Sequence, residues 1–291
     1  MDLGAFAKEV GGVDDGPVTI AGASTRGGPV PGVRTVRAPG GIDWIQADEM
    51  IVSCGAGTLV DDLEAALADA GQRIALPSGG TVGGALAVGR SGIRRLGDGP
   101  IRDVLLEAHY VSAAGDIVKA GGPTVKNVSG FDLCRLLVGS RGTLGFLGSL
   151  ILRTRPLAMA SQWFRTDTEP STVVSALYRP VSVLWDGATT WALLEGHPDD
   201  VSGQAAAAGL QATDRPPPLP DGGRWSISPS AIRTLAGTGS FVAEVGVGVV
   251  HHAEPAPPRK AQPAVISLHH RLKQQFDPKG RLNPGVSVLD V

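Results

Sequence analysis

The stretch from Gly121 to Gly145 reads G-G-P-T-V-K-N-V-S-G-F-D-L-C-R-L-L-V-G-S-R-G-T-L-G, and nothing else in the chain constrains the fold as much. A glycine-rich segment runs into a short apolar helix carrying Leu133, Leu136 and Leu137, and glycines return at Gly139, Gly142 and Gly145. Backbone without Cβ atoms can approach a ligand closely, as phosphate and dinucleotide sites require. Glycine makes up 41 of the 291 residues, so only glycines in a patterned strand–loop–helix context carry weight.

Such contexts recur in the first half. Val18 to Ala21 is a short β-type run leading into G-A-S-T-R-G-G at Gly22 to Gly28. Met50 to Cys54 is a second run, followed by G-A-G-T. Leu59, Leu63, Ala66, Leu67 and Ala70 then recur at helical spacing, with Gly71 as the stop. Val104 to Val111 and Ile117 to Val118 flank the turn A-A-G-D, and Leu144 to Leu152 is a continuous β-rich run that Pro156 ends. The second half predicts a strand at Gln162–Arg165, a helix at Ser171–Tyr178, strands at Val181–Trp185 and Trp191–Leu194, and a helix at Val201–Leu210. That β-α-β-β-α order is most of a ferredoxin-like unit, to be closed by a strand such as Phe241–Val250. Asp214–Gly223 and Glu254–Pro263 are too rich in proline for regular structure. A last helix spans Val265–Phe276, stopped by D-P-K-G.

Gly55–Val60, G-A-G-T-L-V, imitates a nicotinamide-binding Rossmann fingerprint. Val60 stands where that fingerprint needs its third glycine, and no acidic residue ends the next run at Arg73–Leu76. A Rossmann site is therefore not expected there.

Three further segments complete a pattern. Pro77–Gly84 reads P-S-G-G-T-V-G-G, Ala87–Arg95 reads A-V-G-R-S-G-I-R-R, and Leu282–Gly285 reads L-N-P-G. With the opening stretch, these resemble FAD-binding domains of the vanillyl-alcohol oxidase / p-cresol methylhydroxylase type. Within that superfamily they look most like the E-type FAD-binding subunits of bacterial glycolate oxidases. The resemblance runs from Val18 to Pro156 and resumes over the C-terminal tail. It implies an α+β fold: a two-subdomain p-cresol methylhydroxylase-type FAD-binding domain at 1–156. A small ferredoxin-like C-terminal cap at 157–291 would follow, its final helix and tail returning to the flavin.

The resemblance also assigns residues. Gly22, Ser24 and Thr25 correspond to the pyrophosphate loop, with Arg26 adding charge; without the family, the same loop reads equally as ordinary surface. Pro77, Thr81, Val82, Gly83, Gly84, Ser91 and Gly92 correspond to the loops that lie against the pyrophosphate and ring; Arg94 and Arg95 are either solvated surface arginines or one of them, Arg94 first, reaches a phosphate. Gly142 and Phe146 belong near the adenosine half, and Asn283 in the returning tail. Lys126, beside Asn127, is either a solvated lysine or a neighbour of the flavin pyrimidine edge. Relatives with covalent flavin carry a histidine near the first loop. None occurs here before His109, so the FAD is expected to be non-covalent.

The chemistry implied is oxidation of a small 2-hydroxy acid, glycolate or D-lactate, with electrons passed to a D-type flavin subunit and an iron–sulfur subunit. Two other readings stay open: a non-catalytic FAD-binding or assembly subunit, and a related flavin enzyme with another substrate. His251–His252 and His269–His270 are adjacent pairs, which point apart on a strand and share no face on a helix, and no metal-ligand spacing occurs. His251 or His252 is the only base that suggests itself. The net charge of −2 disfavours nucleic acid or an anionic membrane as partner. Cys54 and Cys134 read as packing residues, too few for an iron–sulfur centre. No apolar run approaches the roughly 18 residues of a membrane span. The N-terminal residues lack the pattern of a secretory signal, so a cytoplasmic setting is expected.

Overall fold

Strand and helix signals of the first half resolve into two sheets. The computed structural model describes residues 2–122, 132–258 and 260–289. Helix α1 (Leu3–Val10) begins at Asp2, whose carboxylate accepts the Ala5 N–H at 2.9 Å, and buries Phe6 and Val10. Strands β1 (Val18–Ile20) and β2 (Arg34–Val36) pair in parallel as a small sheet. Then come β3 (Ile42–Gln46), β4 (Ile51–Gly55), α2 (Val60–Asp69), β5 (Gln72–Ile74), α3 (Val82–Val88) and the single turn α4 (Arg95–Asp98). Strands β6 (Leu105–Val111) and β7 (Ile117–Gly121), helix α5 (Leu133–Leu137) and strand β8 (Phe146–Pro156) follow. The second sheet is antiparallel in the order β3-β4-β8-β6-β7, with β5 against the distal end of β8.

Every residue of β4 is buried, as a strand flanked on both edges and packed on its faces should be. Val60, Leu63 and Leu67 of α2, one helical stripe, close over it, and Leu105, Ala108, Leu150 and Leu152 complete the core. Each fully buried side chain of that size contributes about 1.5–3 kcal/mol. Cys54 and Cys134 are both buried; desolvation pushes their thiols up to about 12 and about 11, so they pack rather than react.

By contacts the chain divides into two units, one of Met1–Gly92, Pro100–Leu157 and Lys260–Val291, the other of Ile93–Gly99 and Ala158–Arg259. The division differs from the 157–291 expectation in two places. Arg94 and α4 belong with the second unit, and the C-terminal segment belongs with the first.

The second unit contains β9 (Ala160–Thr166), α6 (Pro170–Ala176), β10 (Ser182–Trp185), β11 (Thr190–Gly196), α7 (Pro198–Ala207), β12 (Gln211–Thr213), β13 (Gly223–Ser226), β14 (Phe241–Glu244) and β15 (Val249–His252). Its sheet runs β12-β9-β11-β10-β14-β15-β13 with every pair antiparallel. The first four strands make a β-α-β-β-α-β unit in ferredoxin-like order, as expected. The closing strand is a correction: it is β12, not Phe241–Val250. Gly246 and Gly248, at φ +78° and +79°, turn that segment into the β14–β15 hairpin, which widens the sheet on the other side. Helices α6 and α7 cover one sheet face through Val173, Val201 and Ala205.

The return to the first unit is made by α8 (Pro263–Phe276) and the turn after it. Asp277 is 2% exposed; its carboxylate accepts the N–H groups of Arg281 (2.9 Å) and Leu282 (2.8 Å) and pairs with Lys273 at 2.6 Å. Arg281, also buried, donates from Nε to the Gly16 carbonyl (2.8 Å) and from Nη2 to that of Val10 (3.0 Å). Arg281 thereby clamps the tail to the end of α1. Removing the Asp277 carboxylate strands two buried N–H donors, while Lys273 keeps the carbonyls of Thr143 (2.8 Å) and Leu282 (3.1 Å). Asp277→Ala should cost about 2–4 kcal/mol in denaturant or thermal unfolding. A loss under about 0.5 kcal/mol would mean the turn holds itself without that carboxylate.

Candidate functional site

Two glycine-rich turns of the first unit are knit by backbone hydrogen bonds. The Val60 N–H donates to Gly80 O at 2.9 Å, Val82 N–H to Thr58 O at 2.9 Å, and Gly83 N–H to Ala56 O at 2.7 Å. Contact this close excludes side chains. A Cβ on Gly83 would sit 2.8 Å from both Cβ and O of Ala56, and one on Gly57 would run into the Ala38 carbonyl. Thr81 caps α3, its Oγ1 accepting the Gly84 N–H at 3.1 Å, a cap worth about 1 kcal/mol. Thr58 Oγ1 lies 3.0 Å from both N and O of Gly41, which fixes the first turn in place.

Above this seam lies a cavity of about 270 Å³, lined by Ile20–Gly28, Ala56–Gly57, Thr81, Gly83–Gly84, Ser140–Gly142, Phe146 and Asn283 among others. The loop 22–28 is held over it by Arg26, whose guanidinium donates to the carbonyls of Gly79 (2.7 Å), Pro77 (2.9 Å) and Ser78 (2.7 Å). Burial lowers the pKa of that guanidinium, offset in part by Asp61. Asn283, at φ +45°, closes the opposite wall. Its Oδ1 accepts from Thr19 Oγ1 (2.8 Å) and Ile20 N (3.1 Å), while Nδ2 donates to Arg141 O at 2.7 Å. Gly142, at φ +70°, accommodates this amide, since a Cβ there would lie 2.8 Å from Nδ2.

Nine of the residues singled out from sequence line this one cavity: Gly22, Ser24, Thr25, Thr81, Gly83, Gly84, Gly142, Phe146 and Asn283. Five do not. Val82 is fully buried in the core, facing away from the cavity. Pro77 contributes its carbonyl to Arg26, and Ser91 Oγ accepts the Ile101 N–H at 3.0 Å. Gly92 stands off the lining. Arg94 is corrected from a phosphate ligand to a structural cation: it bonds Asp98 at 3.2 Å and Glu195 at 2.7 Å within the second unit. Arg26 is corrected likewise, from a charge offered to a ligand to a staple between loops. Lys126 and Asn127 lie outside the described residues.

Of the two histidines, His252 is structural. It is fully buried, stacked on Trp225 at 3.8 Å between ring centroids, and its Nδ1 accepts the Glu254 N–H at 2.8 Å. His251 keeps its ring nearer solvent, with Nε2 3.0 Å from the buried carboxylate of Glu244. Ala56, Gly57, Ser140 and Arg141 line the cavity without having been singled out as ligands. The G-A-G-T turn fails the Rossmann pattern and so offers no ligand signal of its own, and Arg141 is hidden inside the glycine cluster as one more polar loop residue.

The lining suits a dinucleotide. Among the described residues no carboxylate contributes to it, while two arginines and three glycine-bearing loops do. The N–H groups of Ala23 and Ser24 donate to no described residue, leaving them free for anionic oxygens. Apolar Ile20, Val88, Leu137 and Phe146 supply the remaining wall. Undonated N–H groups, glycine-lined loops and an apolar wall are thus gathered around one cavity.

Comparison with known proteins agrees. Residues 17–121 match the FAD binding domain family, and residues 231–286 the C-terminal domain of FAD linked oxidases. Glycolate oxidase subunit GlcE of Escherichia coli (strain K12) is 31% identical, over 94% of this chain and 93% of that protein. A D-lactate dehydrogenase of Archaeoglobus fulgidus is 37% identical over 38% of this chain, which is 26% of its own length. A solved structure of alkyldihydroxyacetonephosphate synthase superposes with TM-score 0.67 over 97% of this chain and 73% of its own, at 16% identity, and so speaks to fold alone. The chain belongs to the FAD-linked oxidase family that includes glycolate oxidase subunit GlcE, and FAD is its cofactor.

Proposed function

We propose that the chain is the FAD-binding E-type subunit of a complex that oxidises a small 2-hydroxy acid such as glycolate or D-lactate. The observation that supports this reading most is the similarity to GlcE along nearly the full length of both proteins. Similarity to glycolate oxidase subunit GlcD of Bacillus subtilis, 42% over 26% of the chain, adds to it. Bound FAD supplies the acceptor for the two electrons and the hydrogen that leave carbon 2 of the acid. The protein's own part is to hold the diphosphate on loops 22–25 and 81–84 and to keep the ring against apolar residues. The electrons then need an outlet. In this reading the acceptors are a D-type flavin subunit, in keeping with the similarity to GlcD, and an iron–sulfur subunit. Among the described residues no helix is long and apolar enough to cross a membrane, and a cytoplasmic setting belongs to the same reading. His251, ordered by Glu244, is the histidine to examine as acceptor of the hydroxyl proton; His252 is not available for that role.

One observation favours a second reading, a subunit that holds FAD without substrate chemistry: among the described residues, the cavity lining contains no His, Asp, Glu, Lys or Cys. Gly84→Val separates the two. A Cβ at Gly84 meets only the Thr81 hydroxyl, at 3.0 Å, whereas one at Gly83 would collide with the Ala56 backbone. Gly84→Val should therefore fold, keep its far-UV circular dichroism, and lose at least about 90% of its flavin, because its branch fills space beside the diphosphate. Full flavin occupancy in the folded variant would move the cofactor elsewhere.

Reconstituted with D-type and iron–sulfur partners, the wild-type chain should support oxidation of glycolate or D-lactate by an artificial acceptor. The isolated chain should be nearly inactive. Complexes carrying Gly84→Val should lose turnover. Retention of full turnover would show a holding role instead, and robust activity of the isolated chain would show a self-contained dehydrogenase.

A further inference from the structure

Charge inside the cavity is scarce. Among the described residues, Arg26 and Arg141 are the only charged residues of its lining, and Arg26 is committed to three loop carbonyls. The guanidinium of Arg141 has no hydrogen bond or ion pair with any described residue. Its backbone, by contrast, is held firmly. The N–H donates to Ala87 O at 2.8 Å, and the carbonyl accepts from Asn283 Nδ2 at 2.7 Å; both partners line the cavity as well. At φ +51°, Arg141 occupies a left-handed conformation that glycine would adopt without strain, in a loop that already uses glycine at 139 and 142. A local preference for glycine has been overruled in favour of a long cation, and such outliers collect at ligand sites.

We propose that Arg141 supplies the positive charge that faces the diphosphate of bound FAD, complementing the neutral backbone donors at Ala23 and Ser24. This rests on the FAD reading of the cavity. Among the described residues no carboxylate of the lining pairs with it, so the guanidinium is available to the ligand, and a planar fork of donors suits phosphate oxygens.

Flavin-free protein titrated with FAD at two ionic strengths tests the assignment, with flavin fluorescence as readout. Arg141→Gln and Arg141→Gly should each raise Kd about tenfold or more. They should also flatten its dependence on salt, while Arg141→Lys retains part of the affinity. Arg141→Gly relaxes the backbone at this position, so a weakened affinity in that variant cannot be blamed on a strained fold. ADP, which shares the diphosphate but lacks the flavin ring, should lose a similar factor as competitor. Wild-type binding with variants unchanged in Kd and salt slope would overturn the role of Arg141 alone. No FAD binding by the wild type would overturn the cavity reading with it.

Discussion

Three backbone hydrogen bonds, running from Val60, Val82 and Gly83 to Gly80, Thr58 and Ala56, hold two chain turns within contact of one another, and the cofactor cavity is built on that seam. The seam exists only because no side chain intervenes. Gly57 lies against the Ala38 carbonyl and Gly83 against Ala56, so a methyl group at either would have to push a backbone aside. Close approach serves two ends at once. It leaves the start of α3, capped by Thr81, beside the cavity, and it anchors both turns to the buried strand β4 and helix α2. The site is rigid because its floor is core.

The walls depend on side chains reaching far along the chain. Arg26 bonds carbonyls some fifty residues away in sequence, at Pro77, Ser78 and Gly79. Asn283 joins Thr19 and Ile20 to Arg141. The tail that carries Asn283 is fixed in turn by Asp277, Lys273 and the buried Arg281. Stability of the C-terminal turn and shape of the cavity are thus one property. A variant that loosens Asp277 loosens the wall that Asn283 forms.

Much of the site was legible in the sequence because glycines, caps and turns leave local marks. T-V-G-G after a strand-turn, and L-N-P-G after a helix stop, carry their meaning in adjacent residues. Contacts between distant segments leave none. Arg26 reads in sequence as a charge for the ligand because nothing local distinguishes a guanidinium bound to distant carbonyls from a free one; for Arg94 the i,i+4 partner Asp98 is a local mark, but Glu195, about a hundred residues on, is not. The same limit applies to the second unit. Its β-α-β-β-α order followed from periodicity, but the three residues of β12 are too few to show any, and Gly246 and Gly248 break what composition presents as one long strand. His252 looked as available as His251 until its stacking on Trp225 was visible.

The account stands on FAD held without a covalent bond in the first unit. The direct measurement is an absorbance spectrum of the purified protein, followed by acid precipitation and chromatography of the released chromophore. The account predicts a flavin spectrum, a colourless pellet, and a supernatant flavin that elutes as FAD. Protein that neither carries nor takes up FAD, or flavin that stays with the pellet, would contradict it.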